Sequence, residues 1–414
     1  MKKQLLGTTA LVAAGFLALT GSAFAQAQPA KVEPIKLSLG GYHDQRFYLF
    51  DVDDRAGNVQ KVDFDMDSEI YFSGSTTLDN GLKFTIRIEL EGNNQTGATT
   101  LPNSTNNIDE NFLSIESGFG TVQLGTTDDV KQKMGIRPVN AGFGATQGQT
   151  KSGANRTGSS TDGTINTTSP DLFQSDAEKI NYFTPRLFGN TASSGLQLGV
   201  SYTPSSAVNG NGSDNAGIEQ KSGKYNRGVS LGLNYTETFD QVAFTLGGGW
   251  MQWDTDQTQI PKAQAWTIGA NLTYGNFTLG ASWGGTNDGR NNAGCVGTTA
   301  ATAGATCVSN TTTNIDGTAW DVGLAYTYNL GYPGRVSLVH LRGEQDNTIG
   351  LGDDEGEYFV FGNEWTIGPG VRWSTSLFKY DFNDESPGNP GPSGATTGYG
   401  GSAYGLVTGI RLAF

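Results

Sequence analysis

The side chains that most often do covalent chemistry are scarce in this chain. There are two histidines, His43 and His340, and two cysteines, Cys295 and Cys307, in 414 residues. Acyl hydrolysis needs a serine or cysteine nucleophile within reach of a base, most often histidine. Neither histidine stands in a serine-containing motif of the G-x-S-x-G kind. The acidic pairs Asp53-Asp54 and Asp353-Asp354 lie in polar stretches that read as loops, where hydrated charge is the simple interpretation. No constellation of nucleophile, base and oxyanion donors emerges, so neither an enzyme nor a cofactor is expected. A zinc site on the cysteines would want nearby histidines, and there are none. Both cysteines fall in one Thr/Ala/Gly-rich stretch, which in an oxidising compartment suggests a local disulfide. The charges that do follow a pattern alternate with apolar residues. Lys83, Arg87 and Glu89 sit between Leu82, Phe84, Ile86, Ile88 and Leu90, which puts all three on one hydrated face of a strand.

That alternation runs through most of the chain. Leu196, Leu198, Val200 and Tyr202 alternate with Gln197, Gly199 and Ser201, and Val229, Leu231, Leu233 and Tyr235 with Ser230, Gly232 and Asn234. Trp266, Ile268, Ala270, Leu272 and Tyr274 repeat the pattern, as do Trp320, Val322, Leu324, Tyr326 and Tyr328. Period two means strands with one apolar face and one small or polar face. A soluble sandwich and a membrane barrel both fit. The connections separate them, because short ones (79–81, 117–120, 239–240, 275–276, 368–370) alternate with long ones (51–61, 93–106, 128–177, 205–225, 286–316, 346–355, 383–397). Tight turns at one rim and extended loops at the other belong to a transmembrane barrel, and counting gives about sixteen strands. Aromatics such as Tyr202, Tyr274, Trp283 and Tyr328 fall near strand ends, where amphipathic rings sit at headgroup level. The small residues on the other face suit a wide lumen.

Composition agrees. With 36% hydrophobic residues and 60 glycines the chain is too poor in apolar side chains for a helical membrane protein. Its aromatics are too regularly placed for a disordered one. Residues 1–25 read as a signal peptide: Lys2 and Lys3, the apolar run Leu11–Leu19, then Ala23-Phe24-Ala25 as cleavage site. A short linker, 26–34, leads into a barrel over 35–414. Loss of Lys2 and Lys3 takes the formal net charge from −14 to −16, which is wrong for nucleic acid.

The last strand, Tyr404 to Phe414, places Tyr404, Leu406, Ile410, Leu412 and Phe414 on one face and ends on an aromatic. It resembles the terminal strand of Gram-negative outer-membrane proteins, in which the last aromatic is the signal read by the barrel-assembly machinery. Three internal stretches resemble the general (non-specific) outer-membrane porin family of proteobacteria: Gly118 to Gly125, Lys179 to Pro185 (KINYFTP) and Leu198 to Pro204 (LGVSYTP). The resemblance covers the mature chain. It implies a sixteen-stranded antiparallel transmembrane β-barrel of the outer membrane, with short periplasmic turns and long outer loops. It also implies a homotrimer set among lipid and lipopolysaccharide, and a third outer loop folded inward to narrow a water-filled channel for small hydrophilic solutes and ions.

In that family basic side chains on the early strands face acids on the third loop. The matching loop here, 128–177, opens with Asp128-Asp129 and closes on Asp171, Asp176 and Glu178. It departs from an all-acidic loop by carrying Lys131, Lys133, Arg137, Lys151 and Arg156. On the wall, strand parity offers Lys83, Arg87 and Glu89. In the first strand Ile35, Leu37 and Leu39 face out, so Lys36, Tyr42, Asp44 and Arg46 face in. The expected constriction is therefore Arg46, Lys83, Arg87 and Glu89 against Asp128, Asp129 and Asp171. The same parity sends His43 and Gln45 outward, which requires a bulge or a neighbouring subunit. In the strand containing Tyr358 to Trp365 both faces are apolar, and parity does not choose between them. The rival readings are a solute-specific channel for a sugar or anion, and a structural or adhesive barrel.

Overall fold

The computed structural model describes residues 34–52, 61–92, 108–143, 177–205, 226–254, 262–287, 317–346, 353–383 and 400–414. The alternating stretches form sixteen strands. They are β1 (Lys36–Val52), β2 (Val62–Thr77), β3 (Lys83–Glu91), β4 (Ile108–Ser117), β5 (Gly120–Thr126), β6 (Glu178–Phe183), β7 (Gly195–Ser205) and β8 (Asn226–Phe239). The second half holds β9 (Val242–Asp254), β10 (Ala263–Tyr274), β11 (Phe277–Asn287), β12 (Gly317–Asn329), β13 (Pro333–Asp346), β14 (Asp353–Gly368), β15 (Val371–Asn383) and β16 (Gly400–Ala413). Among the described residues one short helix, α1 (Val130–Met134), interrupts them. Each strand pairs antiparallel with its chain neighbours, and β16 returns to β1, so the sheet closes on itself. Closure leaves the sheet without an edge strand, the condition for crossing a bilayer with strands.

Turn chemistry sets one rim. The β10–β11 turn is Gly275-Asn276, with Gly275 at φ 57°, a value that favours glycine. The sequence pattern does not separate three connections: 184–194 between β6 and β7, the longer link 255–262 between β9 and β10, and the tight turn Leu330 to Tyr332 between β12 and β13.

The outward face is apolar and exposed: Leu198, Leu231, Ile268, Leu279, Leu324, Phe361 and Leu377 all lie on it. Rings cluster at two levels. Trp266 stands edge-on to Trp283 at 4.5 Å, while Phe277 meets Tyr326 at 4.7 Å and Trp365 meets Trp373 at 5.2 Å nearer the turns. Phe359 and Phe361 belong to this face, whereas Tyr358 and Val360 are fully buried on the other side. This settles the orientation of β14.

His43 and Gln45 do point outward, with no bulge. The β1–β2 register runs unbroken from Lys36↔Ser75 to Leu49↔Val62. Their polarity is met locally: His43 Nδ1 and Ser68 Oγ share a hydrogen bond of 2.6 Å, and Gln45 donates to the Asp65 carbonyl at 3.1 Å. Nearby, Thr408 accepts from Trp373 at 2.9 Å and bonds Thr375 at 2.8 Å. At the C-terminus, Phe414 exchanges backbone hydrogen bonds with Gly41, tying the last residue into β1.

Candidate pore constriction

The described start of the third outer connection, 127–143, lies inside the barrel. Lys179 Nζ donates to the carbonyls of both Thr127 and Ala177, clamping the two roots of the connection together. Asn181 reaches the Asp128 carbonyl at 2.9 Å, and Glu110 accepts from Thr127 Oγ1 at 2.8 Å and from the Asp128 amide at 2.9 Å. Asp129 caps α1 by accepting from the Gln132 amide at 2.9 Å, and it also accepts from Ser230 Oγ at 2.6 Å. The Val130 amide donates to Ser201 at 2.9 Å. Beyond α1 the backbone crosses the inner wall strand by strand. Asn271 holds the Arg137 carbonyl at 2.8 Å, and the Ala141 amide donates to Ser337 at 2.7 Å. Phe143 ends this stretch beneath the Arg46 guanidinium, 5.3 Å from its ring centre. It packs there with Tyr48, Tyr358, Val360 and Phe378, the buried inner faces of β1, β14 and β15.

The remaining wall, β16 and β1 to β4, is charged. Arg46 is 1% exposed and bonds three carboxylates: Asp44 and Asp67 at 2.8 Å, and Asp65 at 3.1 Å. Arg411 from β16 adds a two-point contact to Asp44 at 2.6 Å. Lower on the wall, Arg87 pairs with Glu89 and stacks on Tyr71 at 4.1 Å. Tyr42 and Tyr71 both donate to Glu69, at 2.8 and 2.5 Å. The carboxylates of Asp67, Glu69 and Glu91 lie within 4.8 Å of one another. Lys83 meets Glu116 at 3.3 Å near the turns. Lys133 of α1 reaches Glu110 at 3.6 Å, joining the inserted segment to this wall.

The side chains singled out in the sequence thus fall into two groups. Arg46, Lys83, Arg87 and Glu89 share the charged wall. Asp128 and Asp129 stand at the root of the third connection, where they hold it to the strands. Asp171, Cys295 and Cys307 lie outside the described residues. Sequence reading passed over Asp65, Asp67, Glu69 and Arg411. The signal was present: in β2, Asp63, Asp65, Asp67 and Glu69 alternate with Val62, Phe64, Met66 and Ser68.

A closed barrel with an apolar exterior, charged side chains inside and a segment laid across its lumen is a transmembrane pore. The chain belongs to the Gram-negative porin family, whose model matches residues 7–386. It is an outer-membrane channel. Among solved structures it is similar to an anion-selective porin from Comamonas acidovorans, with a TM-score of 0.56 at 18% identity over 92% of this chain and 100% of that one. It is also similar to OmpT of Vibrio cholerae in its trimer form, with a TM-score of 0.53 at 14% identity over 92% and 100%. At such identities the shared property is the fold. No curated protein sequence matches this chain.

Proposed function

We propose that this chain forms a passive, non-catalytic pore for small hydrophilic solutes, with a mild preference for cations, and that Arg46, Lys83, Arg87, Glu89, Asp128, Asp129 and Asp171 line or brace its narrowest part. The supporting observation is the wall opposite the inserted segment. Asp63, Asp65, Asp67, Glu69, Glu89 and Glu91 face the lumen from β2 and β3, Arg46 and Arg87 neutralise part of that charge, and Lys83 is taken up by Glu116 of β4. A water-filled gap lined by excess carboxylates concentrates cations. Reversal potentials across a salt gradient test this, measured at low ionic strength because screening acts over about 8–10 Å in physiological salt. Arg87→Ala should raise cation preference. A wild-type reversal potential of anionic sign overturns the cation reading, and an unmoved value for Arg87→Ala removes Arg87 from the constriction.

The assembly we infer is a homotrimer, supported by the outward polar row of His43, Ser68, Gln45 and Thr408, which suits a protein neighbour better than lipid. Cross-linking of the native protein tests it. Lipid and lipopolysaccharide would cover the rest of the exterior, and Phe414 would serve the barrel-assembly machinery. We further propose cleavage after Ala25 and a Cys295–Cys307 disulfide closing a small outer loop. Non-reducing mass spectrometry of protein from the outer membrane should show a chain beginning at Gln26 and linked cysteine peptides. Free thiols would end the disulfide reading.

A further inference from the structure

The luminal positions of β7 to β14 carry glycine at a run of sites that meet one another across the strands. Gly199 pairs with Gly232, Gly232 with Gly249, Gly247 with Gly269, and Gly280 with Gly323. On β13 the same band is continued by Ser337, which pairs with Gly362 on β14. Atoms of residues 130–141 occupy the space each missing side chain would take. A Cβ at Gly199 would stand 2.7 Å from Met134 Sδ and 2.9 Å from Val130 Cβ, and one at Gly232 would stand 2.7 Å from the Val130 carbonyl oxygen. A Cβ at Gly323 would lie 2.9 Å from Pro138 Cβ. At Gly247, Gly269 and Gly362 it would strike the backbone oxygens of Met134, Ile136 and Ala141 in turn. Several of the obstructing atoms are main chain, which cannot rotate away.

We propose that this glycine band is the seat of the third connection, and that these glycines are positioning residues which set the open cross-section of the pore. A wide lumen does not need glycine, since serine or threonine would leave it nearly as wide. Glycine is needed where another backbone must lie flat on the sheet. The polar anchors at Lys179, Asn271 and Ser337 fix where the segment runs along the wall. The band fixes how far it stands off the wall. Carbon atoms in contact rest about 3.5–4.0 Å apart, so a single methyl group at Gly323 moves the segment inward by about 1 Å. The substitution itself adds and removes no charge, and every charged side chain of β1 to β4 is kept.

The inference rests on the channel reading and is tested separately from it. Gly269→Ala, Gly323→Ala and Gly362→Ala would be compared with wild type in planar bilayers. Thr273→Val serves as a control on the luminal side of β10, where the Thr273 hydroxyl pairs with that of Thr278. The three glycine variants should show a lower single-channel conductance with an unchanged reversal potential, and the double variant Gly269→Ala/Gly362→Ala a lower one still. The control should match wild type. Equal conductance in the glycine variants overturns the proposal, and so does a higher one, which would mean that the segment leaves the wall rather than standing off it. A silent wild type would instead sink the channel reading. If a variant fails to assemble, Gly323→Ser, read in the same way, keeps the comparison open.

Discussion

Arg46→Ala is expected to lower the stability of the folded barrel by about 3 kcal/mol, near the lower bound for breaking a buried ion pair. The guanidinium is 1% exposed and so is the Asp44 carboxylate, so neither group regains full hydration when its partner goes. Asp65 and Asp67, which it also binds, are more open, and water there softens the loss. Arg411 still holds Asp44, which keeps the cost below that of leaving a lone buried charge. Arg46→Lys restores a positive charge but lacks the planar fork that reaches three carboxylates, so it should recover only part of the difference. Urea-dependent unfolding in detergent or lipid measures both. An Arg46→Ala protein as stable as wild type would show that the cluster is effectively hydrated. The same variant should also conduct cations more selectively, because it removes a positive charge from a wall already rich in carboxylates.

Ile268→Arg addresses the opposite face. Ile268 is 47% exposed at the middle of β10, across from Gly248 of β9 and Trp283 of β11. A charge there meets hydrocarbon, at a cost of roughly 2–4 kcal/mol near the midplane. Snorkelling offers little relief from a central position. Thr273→Arg, on the luminal side of the same strand, meets water and should cost far less. The pair separates burial in lipid from a general intolerance of arginine in β10. The expected readout is a lower yield of assembled, heat-resistant protein for Ile268→Arg. If both variants assemble like wild type, the assignment of inside and outside is wrong.

Much of this fold could be read from the chain because strand period reports side, and side is all that a barrel wall needs. Ile268 and Leu272 against Gly269 and Asn271 is enough to tell lipid from lumen. The same logic reached Arg46 and Arg87. It stopped where period and environment part company. In β14 both faces are apolar, because Tyr358 and Val360 lie under Phe143 and beside Phe378, and alternation carries no information about a covered inner face. Neighbours across strands were equally hidden. Asp65 and Asp67 are legible as luminal, yet their contact with Arg46 depends on a register between β1 and β2 that no local pattern encodes. The luminal glycines were read as leaving the channel wide, which holds for their size but not for their purpose. Their neighbour is a segment from elsewhere in the chain, and no strand-by-strand reading contains it. The outward parity of His43 and Gln45 calls for a bulge or a neighbouring subunit, and the unbroken β1–β2 ladder removes the bulge.

The return of β16 to β1 has a consequence for how this molecule tolerates error. In an open sheet a strand can slip by one residue and let the mismatch run out at the edge. Here the ladder is a ring, and the offsets between neighbouring strands must add up to one fixed total around it. A one-residue slip in any pair would have to be undone by the others. Until it was, one strand would present its lumen residues to lipid and its lipid residues to water. Alignment is therefore a property of the whole circumference, vested in no single pair. The backbone exchange between Gly41 and Phe414 is where β1 and the end of β16 must agree on it.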